Sequence, residues 1–382
     1  MNIIKNYFDK IRPNFEPKGK LHAFRSVFEG FESFLLVPNT TSKNGVSIHD
    51  AIDSKRIMSI VVIALLPALL FGMYNIGYQH YMKAEIEGSL LEMFSYGFLV
   101  MLPKIIVSYL VGLGIEFIVA QYKKEEIQEG YLVTGLIVPL ILPVNCPLWM
   151  MAVAIAFAVI FAKEIFGGTG MNIFNVALVA RAFLFFSYSG KMTGDEVWVA
   201  KDSVLGLGRD LPDSVTMATP LAQNGTDATS LYDMIVGLIP GSVGETSVIA
   251  IAIGAIILLW TGIASWKIMT SVFVGGGLTA ALFFAAGQTP FEWYEHLFLG
   301  GFCFGAVFMA TDPVTSARTE GGKYIYGLLI GVIAVVVRVL NPGYPEGMML
   351  AILFMNMFAP LIDYCFVERN IGKRMKRMKN VD

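Results

Sequence analysis

The sequence predicts an all-α polytopic membrane protein with about ten transmembrane helices, arranged as two inverted five-helix repeats that contain broken helices. The first observation is composition: 55% of the 382 residues are hydrophobic and 15% are charged, against roughly 25% charged residues in soluble domains. The mean hydropathy is +0.63. The second observation is a series of apolar runs that are long enough, or nearly so, to span a bilayer. These runs fall at about 57–79, 97–120, 131–145, 147–166, 172–188, 246–265, 267–286, 296–311, 324–340 and 347–366.

Two of the runs look interrupted. The run 131–145 is short and contains two prolines, and the run 296–311 leads directly into Asp312 and Pro313. A broken helix is tolerated at membrane depth only where other protein, or a cavity, satisfies the freed backbone groups. We therefore expect the active centre at the meeting of the two broken helices.

The two halves of the chain carry weak internal similarity. LVTGLIVPLILPVNCP and NIFNVALVARAFLFF in the first half are matched by FCFGAVFMATDPV and MMLAILFMNMFAPLID in the second. An odd number of helices in each half places the halves in opposite orientations, although chance similarity among Ala, Leu and Phe is the alternative. The predicted parts are a cytoplasmic N-terminal extension with an interfacial helix (1–56), the first repeat (57–188), an outer-face loop (189–245), the second repeat (246–366) and a basic cytoplasmic tail (367–382).

Charge sets the predicted orientation and excludes some functions. Lys and Arg concentrate before the first run, after the last run and in the even-numbered connections, so both termini are expected in the cytoplasm. The net charge of −2 argues against a nucleic-acid partner. Cys146, Cys303 and Cys365 stand singly and the four histidines are scattered, so no protein-bound metal site is predicted.

Four motifs occur in a fixed order: GGTG at 167–170 followed by NIFNVALVARAFLFF, then DSVTMATPLA from 213, GSVGETS at 241–247 and MATDPVTSA at 309–317. In that order they resemble the family that comprises the B-type membrane subunit of the sodium-pumping NADH:quinone oxidoreductases and the D-type subunit of the Rnf ferredoxin:NAD oxidoreductases. The segment 53–77 and the long N-terminal extension resemble the sodium-pump subunit more closely.

This resemblance implies a flavoprotein subunit of a multi-subunit oxidoreductase in the bacterial inner membrane. Other subunits would oxidise NADH, and this subunit would pass electrons to a quinone such as ubiquinone while sodium moves outward. The absence of a Rossmann fingerprint is in keeping with NADH oxidation elsewhere. Two alternatives stay open: an Rnf subunit supplied by ferredoxin, and a passive solute channel of inverted-repeat type without a cofactor.

The resemblance also implies covalent FMN. Family members carry FMN, through its phosphate, on the final threonine of an Asp-x-x-(Ser/Thr)-Gly-Ala-Thr segment. Asp213, Thr216, Ala218 and Thr219 match that segment, whereas Met217 stands where the family often has glycine. A threonine hydroxyl is weakly nucleophilic, so a separate flavin transferase would attach FMN to Thr219, and the threonine would be an anchor without a catalytic role. The alternative for the same residues is an ordinary turn or helix cap.

A second flavin, non-covalent riboflavin, is implied beside the fifth run. Asn172 and Asn175 precede Arg181 on one side of the predicted helix. Asparagine amides can bond the edge of a flavin ring, and an arginine can stabilise its reduced, anionic form. The alternative for Arg181 is a structural ion pair with Glu164 or Asp363.

Further residues are candidates for quinone and sodium. The resemblance places Gly130 at the border of the quinone site. It also implies that acidic groups take up sodium, and Glu129, Asp312 and Asp363 are the candidates for that ion path. Asp312 precedes a proline, so a helix-end cap is its alternative role.

The predicted orientation can be tested by labelling intact cells. A Gly225→Cys variant should react with an impermeant maleimide added outside, because the 189–245 loop is predicted on the outer face. An Asn380→Cys variant is the matched control and should stay unlabelled until the cells are broken. Labelling with the opposite pattern would reverse the orientation and contradict an outer-face FMN.

Overall fold

The computed structural model describes residues 8–15, 19, 28, 32, 54–123, 130–194, 196–212, 218–222, 229–341 and 346–379. Within these ranges the chain has no β-strand, and its one isolated β-bridge joins Val204 to Leu207. Most of the predicted N-terminal extension lies outside the described residues, as do Glu129, Asp213 and Thr216. The all-helical class predicted from the sequence is confirmed over the described residues.

A helix lies in each of the predicted apolar runs. The helices are α1 (Ser54–Ala84), α2 (Leu90–Lys123), α3 (Tyr131–Ile141), α4 (Leu148–Ala158, continued by a π-helix over Val159–Glu164), α5 (Val176–Ser187), α6 (Val248–Trp260), α7 (Trp266–Ala285), α8 (Phe302–Phe304, continued by a π-helix over Gly305–Met309), α9 (Glu320–Leu340) and α10 (Met348–Lys379).

Six of the described helices are long and apolar enough to cross a membrane, namely α1, α2, α4, α7, α9 and α10. Helices α3, α5 and α6 are apolar but shorter. The chain is therefore a multi-pass membrane protein. The count of about ten spans and the inverted repeat remain predictions.

Several helix boundaries differ from the bounds of the predicted runs, among them the start of α5 and the end of α10. Helix α5 starts at Val176 rather than at 172, because Asn175 is its N-cap: the Asn175 Oδ1 accepts hydrogen bonds from the backbone N–H groups of Ala177 (3.1 Å) and Leu178 (3.3 Å). Asn172 and Asn175 thus precede α5 instead of lying on one of its sides. Helix α10 continues to Lys379, well past the predicted end of the run at 366, because residues 367–379 are rich in Lys, Arg and Met, which favour helix.

Helices α7 and α9 pack along each other at close range. A Cβ atom on Gly275 would meet the carbonyl oxygen of Leu328, and one on Gly331 would meet the carbonyl oxygen of Val272. Small residues that let two backbones touch are typical of helix pairs in membranes, where dispersion contacts replace the hydrophobic driving force. Helix α1 packs against α2 and α6.

The chain after α3 is irregular and buried, and a lysine donates hydrogen bonds to its carbonyl oxygens. Lys104 of α2 is 5% exposed, and its Nζ donates to the carbonyl oxygens of Pro143 (3.1 Å) and Val144. Carbonyl groups that leave a helix inside a membrane protein need such a donor, because lipid supplies none. A buried cation on a neighbouring helix therefore supports the interruption that the two prolines produce.

Candidate functional site

Two polar cavities lie at opposite ends of α5. Asn175, at the N-terminus of α5, lines the Asp312 cavity, which has a volume of about 80 Å³. Phe185, near the C-terminus, lines the Thr219 cavity, which has a volume of about 270 Å³. Typical small-molecule pockets start at about 300 Å³. Both cavities are smaller than this, so each could enclose only part of a ligand of flavin size.

The Thr219 cavity combines a hydroxyl group, two guanidinium groups and aromatic rings. Its lining includes Thr219, Arg181, Arg338, His296, Trp198 and Phe291. Aromatic walls suit a flat conjugated ring, and guanidinium groups suit a phosphate or another anion. Thr219 and Arg181 are predicted to contact two different flavins, but the structure places them in the same cavity.

Arg181 is the centre of a buried charge cluster. One of its guanidinium nitrogens is 2.9 Å from Glu245 Oε1 and the other contacts the Glu346 carboxylate. The Arg181 and Glu245 side chains are 4% and 2% exposed. The alternative that paired Arg181 with Glu164 or Asp363 is wrong: Glu164 pairs with Lys123, and Asp363 bonds the chain at the start of α9.

Glu245 belongs to a loop that joins the two interrupted helices. In this loop, over residues 241–247, the N–H of Gly244 donates to the carbonyl oxygen of Leu140 (2.9 Å), and the Ser242 hydroxyl donates to that of Ile141 (3.3 Å). The loop thereby satisfies the C-terminal end of α3. On its other side, the Glu245 carboxylate lies so close to Gly301, which precedes α8, that a Cβ there would be 2.8 Å from it. The ends of α3 and α8 therefore meet at Glu245.

Arg338 holds the chain that leads into α8. Its guanidinium donates to the carbonyl oxygens of His296 (2.5 Å) and Leu299 (3.2 Å). These buried carbonyl groups thus have a hydrogen-bond donor, in the same way as Lys104 provides one for the chain after α3. The His296 ring bonds the Thr289 hydroxyl at 3.1 Å. These contacts give the Thr219 cavity a fixed wall.

The described part of the predicted FMN segment is Ala218 and Thr219. Ala218 is buried, and Thr219 begins a turn in which its carbonyl oxygen accepts from the N–H of Ala222 at 2.9 Å. The turn directs residues 219–222 along the cavity that Arg181 and Arg338 also line. The predicted contributions of Asp213 and Thr216 lie outside the described residues.

His80 and Tyr96 anchor the loop around residues 200–209, which precedes the predicted FMN segment. The His80 Nδ1 lies 2.8 Å from the Ala200 carbonyl oxygen, and the His80 Nε2 accepts from the Arg209 N–H at 3.2 Å. The Tyr96 hydroxyl donates to the Asp202 carbonyl oxygen at 2.6 Å. These contacts fix the loop that leads towards Thr219. Sequence reasoning missed this pair, because both residues lie just outside the predicted apolar runs and belong to no motif.

Another group in the same loop shows a shifted pKa. The Asp210 carboxylate accepts a hydrogen bond from the Ser203 N–H at 2.7 Å. That bond stabilises the ionised form and lowers the pKa of Asp210.

The Asp312 cavity is built around a carboxylate with three donors. Asp312 Oδ2 accepts from the Asn175 amide and from the Thr315 hydroxyl, both at 3.1 Å, and Oδ1 accepts from the Val314 N–H at 3.0 Å. Asn175 therefore bonds α5 through its oxygen and Asp312 through its nitrogen. The sequence had placed Asn175 beside a flavin and Asp312 on an ion path, and the structure brings the two residues into contact.

Gly130 also lines the Asp312 cavity and touches Thr169. A Cβ on Gly130 would lie 2.5 Å from Thr169 Cγ2 and 2.8 Å from its Oγ1, so a larger residue would displace this threonine. The Thr169 hydroxyl is buried and has no hydrogen-bond partner among the described residues. An unsatisfied hydroxyl at a cavity is a place where a ligand or a water can bond.

The remaining predicted site residues are distributed as follows. Asn172 lines the Asp312 cavity, although its amide already bonds the backbone of Gly170 and Phe174. Arg181 lies in the other cavity. Asp363 accepts hydrogen bonds from the N–H groups of Arg318 and Thr319, both at 2.8 Å, and from the Thr319 hydroxyl at 2.6 Å, and so anchors the start of α9. Glu129 lies outside the described residues.

Sequence reasoning missed four charged residues of these cavities. Glu245, Glu346, Arg338 and Lys163 line the cavities or pair with residues that do. Glu245 stands in the GSVGETS motif, so the motif could have indicated Glu245 as a site residue. Arg338 and Lys163 each lie inside an apolar run, and intramembrane charges of this kind are functional candidates by default.

The fold and the two cavities define a class: an all-helical, multi-pass membrane protein with charged cavities at interrupted helices. The chain belongs to the NQR2, RnfD, RnfE family, whose model matches residues 41–372.

Proteins named as the B-type subunit of Na(+)-translocating NADH-quinone reductase match it along nearly all of its length. That of Chromohalobacter salexigens is 45% identical over 98% of this chain and 96% of its own. Those of Ectopseudomonas mendocina and Klebsiella pneumoniae strain 342 are 42% and 40% identical over 98% of this chain and 99% of their own. The family resemblance found in the motifs is confirmed, and with it the prediction of a subunit of an oxidoreductase complex.

The charge cluster predicts a large effect of removing Arg181. An Arg181→Met variant should lose about 3–5 kcal/mol of stability, because it leaves Glu245 and Glu346 without their counter-ion. The melting temperature in detergent measures this loss. Lys201→Met is the matched control, since the Glu196 partner of Lys201 is 66% exposed and such pairs contribute about 0–1 kcal/mol. Equal melting temperatures in the two variants would contradict the importance of the cluster.

Proposed function

We propose that this chain is the flavin-carrying membrane subunit of a sodium-translocating NADH:quinone oxidoreductase, with FMN on Thr219 and riboflavin at the Asp312 cavity. Other subunits oxidise NADH, and electrons leave this subunit for a quinone while sodium crosses the membrane outward. The observation that carries the proposal is the position of Thr219, in a cavity that it shares with two buried arginines and aromatic rings. The names of the relatives support the sodium pump over the Rnf alternative.

The residues of the Thr219 cavity suit a phosphorylated flavin. Arg181 and Arg338 offer guanidinium N–H donors to a phosphate ester, while Trp198 and Phe291 supply flat apolar surfaces. A bound flavin supplies the ability to accept electrons in pairs and release them singly. Arg181 keeps both carboxylate partners, so the cavity is close to neutral before an anion binds. The covalent bond to Thr219 would keep the flavin from diffusing away.

The Asp312 cavity suits the polar edge of a ring or a hydrated cation. Asp312, Asn175 and the buried Thr169 hydroxyl offer acceptors and donors within a small volume. We propose that riboflavin is bound at its mouth, with Gly130 at the border of the quinone site. Asp312 is also our candidate for the ion path, together with Glu129 and Asp363, because a carboxylate beside an interrupted helix is a suitable hard-cation ligand.

The proposed topology puts the two cavities on different sides of the membrane. The Thr219 cavity is formed by the predicted outer connections and the Asp312 cavity by the predicted cytoplasmic ones. A flavin transferase on the outer side would then have access to Thr219. This separation also favours an electron carrier over the passive-channel alternative, since a channel has no use for a flavin anchor.

The FMN anchor predicts a fluorescent band that depends on one hydroxyl. Wild-type protein, expressed with its complex and a flavin transferase, should fluoresce as flavin on a denaturing gel and carry the added mass of FMN. Thr219→Ala should lose both signals completely, because the ester cannot form. Thr193→Ala, which changes another threonine of the same cavity, should keep them. A fluorescent Thr219→Ala band would rule out the anchor.

The ion path predicts a change in sodium dependence. Asp312→Asn should keep the covalent FMN but raise the sodium concentration for half-maximal quinone reduction about tenfold, equivalent to about 1.4 kcal/mol, because a carboxylate ligand is lost. Asp363→Asn gives the comparison. Asp363 accepts hydrogen bonds from two backbone N–H groups and one hydroxyl, so this variant should have a lower melting temperature. Its sodium dependence should change only if Asp363 also lies on the ion path. Unchanged sodium dependence in a fully flavinylated Asp312→Asn complex would remove Asp312 from the path.

A further inference from the structure

The π-helix at the end of α4 places a lysine at the Asp312 cavity. Lys163 is 4% exposed and lines that cavity. A π-helix inserts an extra residue into a turn and is frequent at functional sites. The π-helix contains Lys163, and Lys163 lines this cavity together with Asn175 and Asp312.

The hydrogen bonding of Lys163 is incomplete. Its ammonium group contacts the carboxylate of Glu116 on α2, which is also buried, and no further acceptor is found among the described residues. A lysine ammonium has three N–H donors, so the Glu116 contact leaves two of them available. The second carboxylate oxygen of Glu116 likewise has no partner within the described part of the chain. Buried ions normally have all such positions filled.

A ligand with acceptor atoms would complete this site. The pyrimidine edge of a flavin carries two carbonyl oxygens, and reduction places negative charge on the same ring. Arg181, which sequence reasoning assigned to that role, lines the other cavity. Lys163 is the lysine that lines the Asp312 cavity within the described residues.

We infer that Lys163 is the cation that binds the pyrimidine edge of the flavin at the Asp312 cavity and favours its reduced form, with Glu116 as the counter-ion that positions it. This inference rests on the proposed function, because it requires a flavin at that cavity. Cationic charge near the ring stabilises the anionic reduced state more than the neutral oxidised state, and therefore raises the potential.

The test uses the whole complex with a double variant, Lys163→Met/Glu116→Gln, which removes both charges together and leaves no single buried ion. The covalent FMN band reports folding, released riboflavin is quantified by chromatography, and the potential of the non-covalent flavin is measured by redox titration. Lys123→Met is the matched control, since Lys123 pairs with the adjacent Glu164 but does not line the cavity. Lys163→Arg, with Glu116 intact, tests rescue by the charge alone.

The expected result is an intact FMN band with either a tenfold loss of riboflavin or a potential lower by about 59 mV, which is a tenfold change for one electron. Lys163→Arg and Lys123→Met should keep both properties near wild type. Wild-type riboflavin content and potential in the double variant would overturn the inference, and so would loss of FMN together with riboflavin, which would mark the pair as purely structural. Absence of riboflavin from the wild-type complex would instead refute the proposed function.

Discussion

The contact of Arg181 with Glu245 and Glu346 is the interaction on which the rest of the site depends. A buried guanidinium without partners would be too costly to keep, so its position requires two carboxylates from other parts of the chain. Glu245 stands in the loop that also satisfies the end of α3 and touches the start of α8. One charge cluster therefore fixes the meeting point of both interrupted helices and one wall of the Thr219 cavity.

The same requirement recurs at two buried irregular segments of the described chain. Lys104 bonds the carbonyl groups that follow α3, and Arg338 bonds those that precede α8. Lipid offers no alternative partner for these groups, so the chain can leave its helices only where a side chain replaces the lost bonds. Charged residues within apolar helices in this way replace backbone hydrogen bonds that the two interrupted helices lose.

The sequence was informative about elements and about part of the site. Apolar runs located the helices, because lipid selects long apolar segments, and the motifs identified the family. Gly130, Asn172, Asn175 and Asp312 were named for different roles, and all of them line one cavity.

Apolar runs and motifs did not indicate which residues contact each other in the folded protein. The partners of Arg181 are distant in sequence, and no periodicity links Arg181 to Glu245 or Glu346. The prediction that Asn175 lies beside a flavin did not indicate that its amide caps α5 and bonds Asp312. The position of Lys163 depends on a π-helix, whose extra residue no hydrophobic pattern specifies. Glu129, Asp213 and Thr216 lie outside the described residues, so their roles stay predictions.

The loop over residues 241–247 has a consequence for how this protein can change during evolution. Its backbone bonds Leu140 on one side, and its glutamate reaches Arg181 and Gly301 on the other. Insertion or deletion of a single residue would move one of these contacts by about 3.3 Å or more, further than a hydrogen bond can stretch. Surface connections tolerate changes of length because only solvent surrounds them. A change in the length of this loop would therefore break a contact with α3, with Arg181 or with Gly301.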